Sequence, residues 1–148
     1  MSVNPELVGR EFSPVGPYLV GREKVREFAR AVLATNPIYL DVAAARTAGH
    51  ADVVAPPTFP VVIQELTLAQ LLAEPDANID FTRVVHGDQR FSFSRDIVAG
   101  DELMATLSVT SVKSLGGHSM VTSESVMTDA RGDHVVTATS TLVVRGDE

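Results

Sequence analysis

The chain contains no cysteine and no tryptophan. Without cysteine there is no disulfide framework, no thiolate metal site and no cysteine nucleophile. Without tryptophan, and with aromatic residues at only 5%, the core must come from aliphatic side chains. Val, Ala and Thr are abundant, which suits strands. Positive charge is also scarce. Twelve Lys and Arg stand against 19 Asp and Glu, for a formal charge of −7. That argues against nucleic acid as the main partner, because phosphate binding needs a cationic face. Phosphate-cradling loops, dinucleotide glycine patterns, G-x-S-x-G elbows and H-x-x-x-H pairs are all missing, so no metal or prosthetic cofactor is expected. Met1 to Phe12 holds no basic segment followed by an apolar run, so no secretory leader is expected and the cytoplasm is the default location.

What is present fits one domain spanning residues 1–148; a chain of this length buries about 68–70% of its unfolded surface. The segment Thr58–Ala73 (TFPVVIQELTLAQLLA) is apolar on nearly every side and is predicted to be a central buried helix. Thr58 is placed to cap it and Pro60 to occupy its first turn. Before it, residues 1–17 hold Pro5, Gly9, Pro14, Gly16 and Pro17 and read as an irregular lead-in, followed by a short strand at Tyr18–Val20. Val25, Phe28, Ala29, Val32 and Leu33 recur at helical spacing from Arg22 onward, ending at Asn36-Pro37 because a residue before proline avoids the α region. Asp41 reads as the cap of a short helix that Gly49 stops. After Pro75 the period changes to two. Strands are predicted from Phe81 to Arg95 with a bulge or bend at Gly87, from Leu103 to the Gly116-Gly117 hairpin, from Met120 to Met127, and from Val135 to Val144. An antiparallel sheet hides one apolar face, and wrapping it around the central helix satisfies both elements. This is an α+β, hot-dog arrangement. Such a sheet leaves a strand edge open, so a dimer is expected, of like or unlike chains.

Four stretches carry a family resemblance. Val32 to Asp41 reads V-L-A-T-N-P-I-Y-L-D, followed by Ala45, Gly49 and Val54-Ala55-Pro56-Pro57. Phe91 to Asp101 ends in Gly100-Asp101, and Val20–Ala29 (VGREKVREFA) and Val84–Phe91 (VVHGDQRF) accompany them. Together they resemble the MaoC family of R-specific enoyl-thioester hydratases and 3-hydroxyacyl-thioester dehydratases. Its signature runs S-G-D-x-N-P-[IL]-H-x-D and later I-A-H-G. The last two stretches are similar to the non-catalytic (A-type, UPF0336-like) subunits of the actinobacterial branch, which pairs a non-catalytic with a catalytic hot-dog subunit. The resemblance implies an accessory, acyl-chain-binding subunit of a (3R)-hydroxyacyl-thioester dehydratase or enoyl hydratase in fatty-acid metabolism. It also implies an acyl-CoA or acyl carrier protein (ACP) substrate and a catalytic MaoC-type partner, or else a second copy of this chain.

The departures from that signature concern the chemistry itself. Adding or removing water across C2–C3 needs one group for the proton at C2 and one for the oxygen at C3. The family's Asp and His positions hold Ala34 and Tyr39. Ala34 cannot transfer a proton, and a tyrosine hydroxyl titrating near about 10 is poorly matched to a base at neutral pH. No catalytic residue is therefore expected in this loop. His86 and Asp88, two apart on a predicted strand, would share a face and offer a substitute dyad; alternatively the Gly87 bend only bonds their polar groups to loop backbone. Asn36, Tyr39, Pro57, Phe59, His86 and Gln89 are the expected substrate-binding positions. Gln64 and Glu65 on the buried helix need partners and are expected at a dimer seam or along an acyl tunnel. His50, His118 and His134 read as solvated loop residues. Three alternatives stay open: an accessory subunit, a homodimeric acyl-thioester binding module without chemistry, and a stand-alone hydratase using His86 and Asp88.

Overall fold

The computed structural model describes residues 2–147. A five-stranded antiparallel sheet is built from β1 (Val15–Leu19), β2 (Val84–Phe93), β3 (Glu102–Leu115), β4 (His118–Thr128) and β5 (His134–Val144) in the order β1-β3-β4-β5-β2. Helices α1 (Arg22–Ala31), α2 (Val42–Thr47) and α3 (Pro60–Ala73) lie between β1 and β2 in the chain. The sheet packs around α3 as the hot-dog reading expects. β1 and β2 form the two edges.

β3, β4 and β5 form a meander because each is joined to the next by a tight turn. At the first hairpin Leu115 pairs with His118, and both loop residues, Gly116 and Gly117, have φ of +57° and +81°. Two left-handed residues in a row favour glycine and match the twist of the strands. The inward face alternates as a half-buried sheet must: Leu103, Ala105, Leu107 and Val109 on β3, and Val136, Ala138, Ser140, Leu142 and Val144 on β5, are buried. On β4 the inward positions are Ser119, Val121, Ser123, Ser125 and Met127. Three are serines, which is why this strand's pattern is the faintest in the sequence.

Those small residues make a shallow floor for α3. Thr67 Oγ1 meets Ser125 Oγ at 2.6 Å in a buried hydrogen bond, and also donates to the Gln64 carbonyl of its own helix at 2.7 Å. The buried side of α3 is the stripe Pro60, Ile63, Gln64, Thr67, Leu68 and Leu71, the spacing of one helical face. The opposite side is not covered within the chain: Glu65, Leu66, Ala69 and Ala73 are exposed, Leu66 at 43%. The expectation of burial all round is thus half met, and Glu65 is an open-face residue rather than a buried one. Pro60 sits in the first turn as predicted, but Thr58 does not cap the helix. Phe59 occupies the cap position with helical φ and ψ and no side-chain bond, because a turn closed by Phe59 N–H on the Pro56 carbonyl (2.8 Å) carries the chain straight into α3. Thr58 is caught inside that turn and points to solvent.

Two apolar clusters lie along the buried side of the helix, one at each end. The first gathers Phe59 and Ile63 with Val20, Val25, Met127 and Val136; Phe28 meets Phe59 edge-on, with centroids 5.4 Å apart and planes at 83°. The second gathers Leu68 and Leu71 with Leu107, Val121, Leu142 and Leu7. Leu7 lies in the lead-in, which is irregular yet firmly held: Val3 and Leu7 are buried, and Gly9 and Phe12 donate to the carbonyls of Val109 and Leu107 at 2.8 and 2.9 Å.

α3 is tied to the edge strand by a reciprocal amide pair. Gln64 Nε2 donates to Gln89 Oε1 at 2.9 Å, and Gln89 Nε2 donates to Gln64 Oε1 at 2.8 Å. Gln64 is 1% exposed, so this partner satisfies an amide that would be costly to bury alone. A double-mutant cycle on Gln64→Ala and Gln89→Ala, followed by urea unfolding, is expected to return a coupling of about 1–2 kcal/mol, with Gln64→Ala the costlier single change because it also opens a cavity. Additive effects would mean that the pair does not hold strand to helix.

A second tie joins α1 to the loop before α3. Arg22 grips Asp52 with Nη2 to Oδ2 at 2.7 Å and Nε to Oδ1 at 3.0 Å, and the Val53 N–H donates to the same carboxylate at 2.8 Å. The guanidinium hydrogen bond, followed by that N–H, holds the Asp52 carboxyl below its ordinary range. A carboxyl lowered in the folded state contributes stability that is complete above its unfolded value near about 3.9 and is lost as pH falls through the lower folded value. Asp52→Asn is therefore expected to lower the melting temperature at pH 7, by about 1 kcal/mol in stability, and to flatten the decline below pH 4 in a melting-temperature series.

Candidate functional site

The loop that follows α1 carries the signature positions. α1 does not run on to Asn36-Pro37. It closes at Leu33, whose φ is +58°: the Leu33 N–H donates to Arg30 O at 3.2 Å and the Ala34 N–H to Ala29 O at 2.8 Å. These crossed bonds satisfy the last carbonyls of the helix around a left-handed residue. Asn36 then caps a 3-10 turn over Pro37–Tyr39, its Oδ1 accepting from the Ile38 N–H at 3.1 Å. Asp41 caps α2 as predicted, accepting from the Ala43 N–H at 2.9 Å, and Gly49 follows the helix at φ +96°. Arg26 Nε donates to the Leu40 carbonyl at 2.8 Å and seats the loop on α1.

The loop thus keeps its frame, with Ala34 and Tyr39 at the positions where the signature has Asp and His. The methyl group at Ala34 has no exchangeable proton. Tyr39 is half-buried. The stretch Val54-Ala55-Pro56-Pro57 lies alongside residues 97–99: the Val54 N–H donates to Ile38 O at 2.9 Å and the Ala55 N–H to Ile97 O at 2.8 Å. The two prolines have no N–H to give. None of these four residues can aim a free amide at a thioester carbonyl. Pro57 is exposed. Phe59 is wholly buried against Phe28, so it packs the core and does not face an open surface.

On β2 the predicted bulge at Gly87 is present and has a consequence for the dyad. His86 pairs with Leu142, while Asp88 pairs with Thr141, the next residue along. Leu142 faces inward and is buried; Thr141 faces outward. The inserted glycine reverses the parity of the strand, so His86 and Gln89 lie on the helix side and Asp88 on the opposite side. The expectation that His86 and Asp88 share a face is overturned. The His86 imidazole Nε2 donates instead to the Asp88 backbone carbonyl at 3.1 Å, and the Asp88 carboxylate takes Arg90 Nε at 3.1 Å. A side chain at position 87 would also meet Val143 Cγ2 at 3.0 Å, a second reason for glycine there.

Asp101, the acid of the Gly100-Asp101 turn, accepts both guanidinium nitrogens of Arg95 at 2.8 and 3.1 Å and the Val98 N–H at 2.9 Å; Arg95 also reaches Asp129 at 3.3 Å. Hydrogen bonding to Asp101, the largest cause, and to Asp129 raises the Arg95 pKa above its ordinary value. The motif's acid therefore shapes a turn and joins β3 to the β4–β5 connection. Neither this network nor the Gln64–Gln89 pair was assigned from sequence, because each joins residues distant along the chain. Gln64, one of two amides in an otherwise mostly apolar helix, was the forewarning. A cleft of about 420 Å³ opens where the end of α3 meets the end of β5, between Leu72, Ile79, Arg83, Val144 and Arg145; none of the positions expected to bind substrate lines it. Among the described residues no group of three His, Asp or Glu could hold a metal, and no helix is long and apolar enough to cross a membrane.

Residues 6–138 match the family described as FAS1-like, dehydratase domain region. The UPF0336 protein of Leifsonia xyli is 71% identical over 99% of this chain and 98% of its own length, and that of Thermobifida fusca is 47% identical over 99% and 97%. Among solved structures, the HadBC (3R-hydroxyacyl-ACP dehydratase) complex of Mycobacterium tuberculosis aligns with a TM-score of 0.83 at 31% identity, over 93% of this chain and 96% of the other. A MaoC-like dehydratase aligns with a TM-score of 0.88 at 36% identity over 94% of this chain but only 42% of its own. With its loop frame, its sheet wrapped on α3 and these relatives, the chain belongs to the FAS1-like dehydratase-region family of MaoC-like hot-dog proteins, alongside the UPF0336 proteins.

Proposed function

We propose that this chain is the accessory, acyl-chain-binding subunit of a cytoplasmic (3R)-hydroxyacyl-thioester dehydratase or enoyl hydratase of fatty-acid metabolism, and that it pairs with a catalytic MaoC-type subunit. The observation that carries the reading is a loop whose caps and turns are intact while its two acid–base positions hold Ala34 and Tyr39. A chain of this design needs its chemistry supplied from outside. The uncovered side of α3 and the unpaired edge of β2 are where a partner would complete the structure. Two relatives in fold, HadBC and ChsH1–ChsH2, are complexes by name, and the chain spans less than half of a longer MaoC-like dehydratase. Gln89 and His86, on the helix side of the edge strand, would then lie at the seam, with Asn36, Tyr39 and Pro57 around the acyl thioester.

Size-exclusion mass and hydration of a trans-2-enoyl thioester test this on two samples: the chain alone, and the chain co-expressed with a MaoC-type subunit that carries an intact G-D-x-N-P-x-H. The expected result is no turnover alone, a mixed complex on co-expression, and hydratase activity in that complex. A homodimer that ignores the second subunit, binds acyl thioester and turns nothing over would favour the binding-module reading instead. Turnover by the isolated chain, lost in His86→Ala, would overturn the proposal.

A further inference from the structure

We propose that the tip of α1, formed by Arg30, Val32 and Leu33, is a docking point for the acidic carrier protein that presents the acyl thioester; this rests on the accessory-subunit reading above. Leu33 is the observation that calls for an account. It stands at φ +58° and is 84% exposed, beside Val32 at 45%. A left-handed helix terminus takes glycine at least cost, since a β-carbon is strained there. A large apolar side chain at this position is strained, and its exposure shows that packing within the chain does not compensate. A contact with another molecule does.

The charges nearby indicate which molecule. α1 carries Arg22, Lys24, Arg26 and Arg30 against Glu23 and Glu27, in a chain of net charge −7. Arg22 is paired with Asp52, Lys24 with Glu27 and Arg26 with Glu23. Arg30 has no ion pair among the described residues, and it sits one turn from Leu33. Against the acidic charge of the chain as a whole, Arg30 beside the exposed Val32 and Leu33 makes this tip locally cationic and apolar, and that pairing complements an acidic surface with an apolar patch, which is the chemistry of an acyl carrier protein. The position also suits delivery: Leu33 directly precedes Ala34, the first of the vacated signature positions, so a carrier seated here holds its thioester arm beside the loop.

The test compares one acyl group on two carriers, crotonyl loaded on acyl carrier protein and crotonyl-CoA, turned over by the complex with its catalytic subunit. Arg30→Glu and Leu33→Gly are each expected to raise KM for the protein-borne substrate about tenfold, to leave kcat unchanged, and to leave both constants unchanged with crotonyl-CoA. Leu33→Gly is expected to hold or raise the melting temperature, which separates lost docking from lost folding. Equal effects on both substrates, or none on either, would overturn the docking point. Fluorescence anisotropy of labelled crotonyl-carrier with the isolated chain at low salt tells this failure apart from failure of the accessory reading. Weakened binding in both variants sustains the docking point even where no subunit confers turnover; unchanged binding in both removes it whatever the activity.

Discussion

The contact between α3 and the sheet governs most of what is distinctive here. A helix rich in Val, Ile and Leu gains by removing apolar surface from water, but only the stripe from Pro60 through Leu71 achieves this within the chain. The sheet admits that stripe closely because β4 offers Ser123 and Ser125 where β3 offers Val109 and Leu107, and their β5 partners, Ser140 and Ala138, are also small. A close floor brings hydroxyls within reach of the helix, so the interface is partly polar: Thr67 on Ser125, and Gln64 on Gln89. Buried polar contacts specify position more sharply than apolar ones, because a displaced amide or hydroxyl loses its partner outright. The helix is fixed in register on the sheet, and its far side is left uncovered.

That asymmetry reaches the functional site through β2. Gln89 fastens the strand to α3 at one point, and two residues earlier the Gly87 bulge shifts its register. The two features together decide which side chains look inward. Without the bulge His86 would fall on the outward side and the pair would share a face; with it, His86 joins Gln89 on the helix side and Asp88 turns away. One inserted glycine therefore separates a histidine from a carboxylate that sequence spacing had put together.

Much of the fold was legible because it is local. The switch from a helical to a two-residue period after Pro75, the Gly116-Gly117 hairpin, the Asp41 cap and the Gly87 bulge each depend on residues close in sequence, and each is where the pattern placed it. The errors arose where geometry overrode a short-range rule. Thr58 is a good capping residue placed inside a preceding turn. Asn36-Pro37 is a good helix stop, reached only after Leu33 had already closed α1. His86 and Asp88 obey strand alternation on either side of the one residue that breaks it. At the site, the presence of Ala34 and Tyr39 at the signature positions was readable from residue identity alone, whereas the Arg95–Asp101–Asp129 network and the amide pair join positions 6 to 34 residues apart, and no short window of sequence displays them.

The vacated loop also bears on why such a chain keeps its shape. The residues that build the turn are Asn36, Pro37 and Asp41, and each acts through backbone hydrogen bonding or a fixed φ. The positions that would do chemistry are additions to that frame and hold none of it up, so Ala34 and Tyr39 can occupy them without disturbing the path of the chain. Scaffold and reactivity are separable here because they reside on different residues of one ten-residue stretch. The frame residues alone keep the path of the loop, and the open side of α3 and the free edge of β2 remain as uncovered surfaces of the chain.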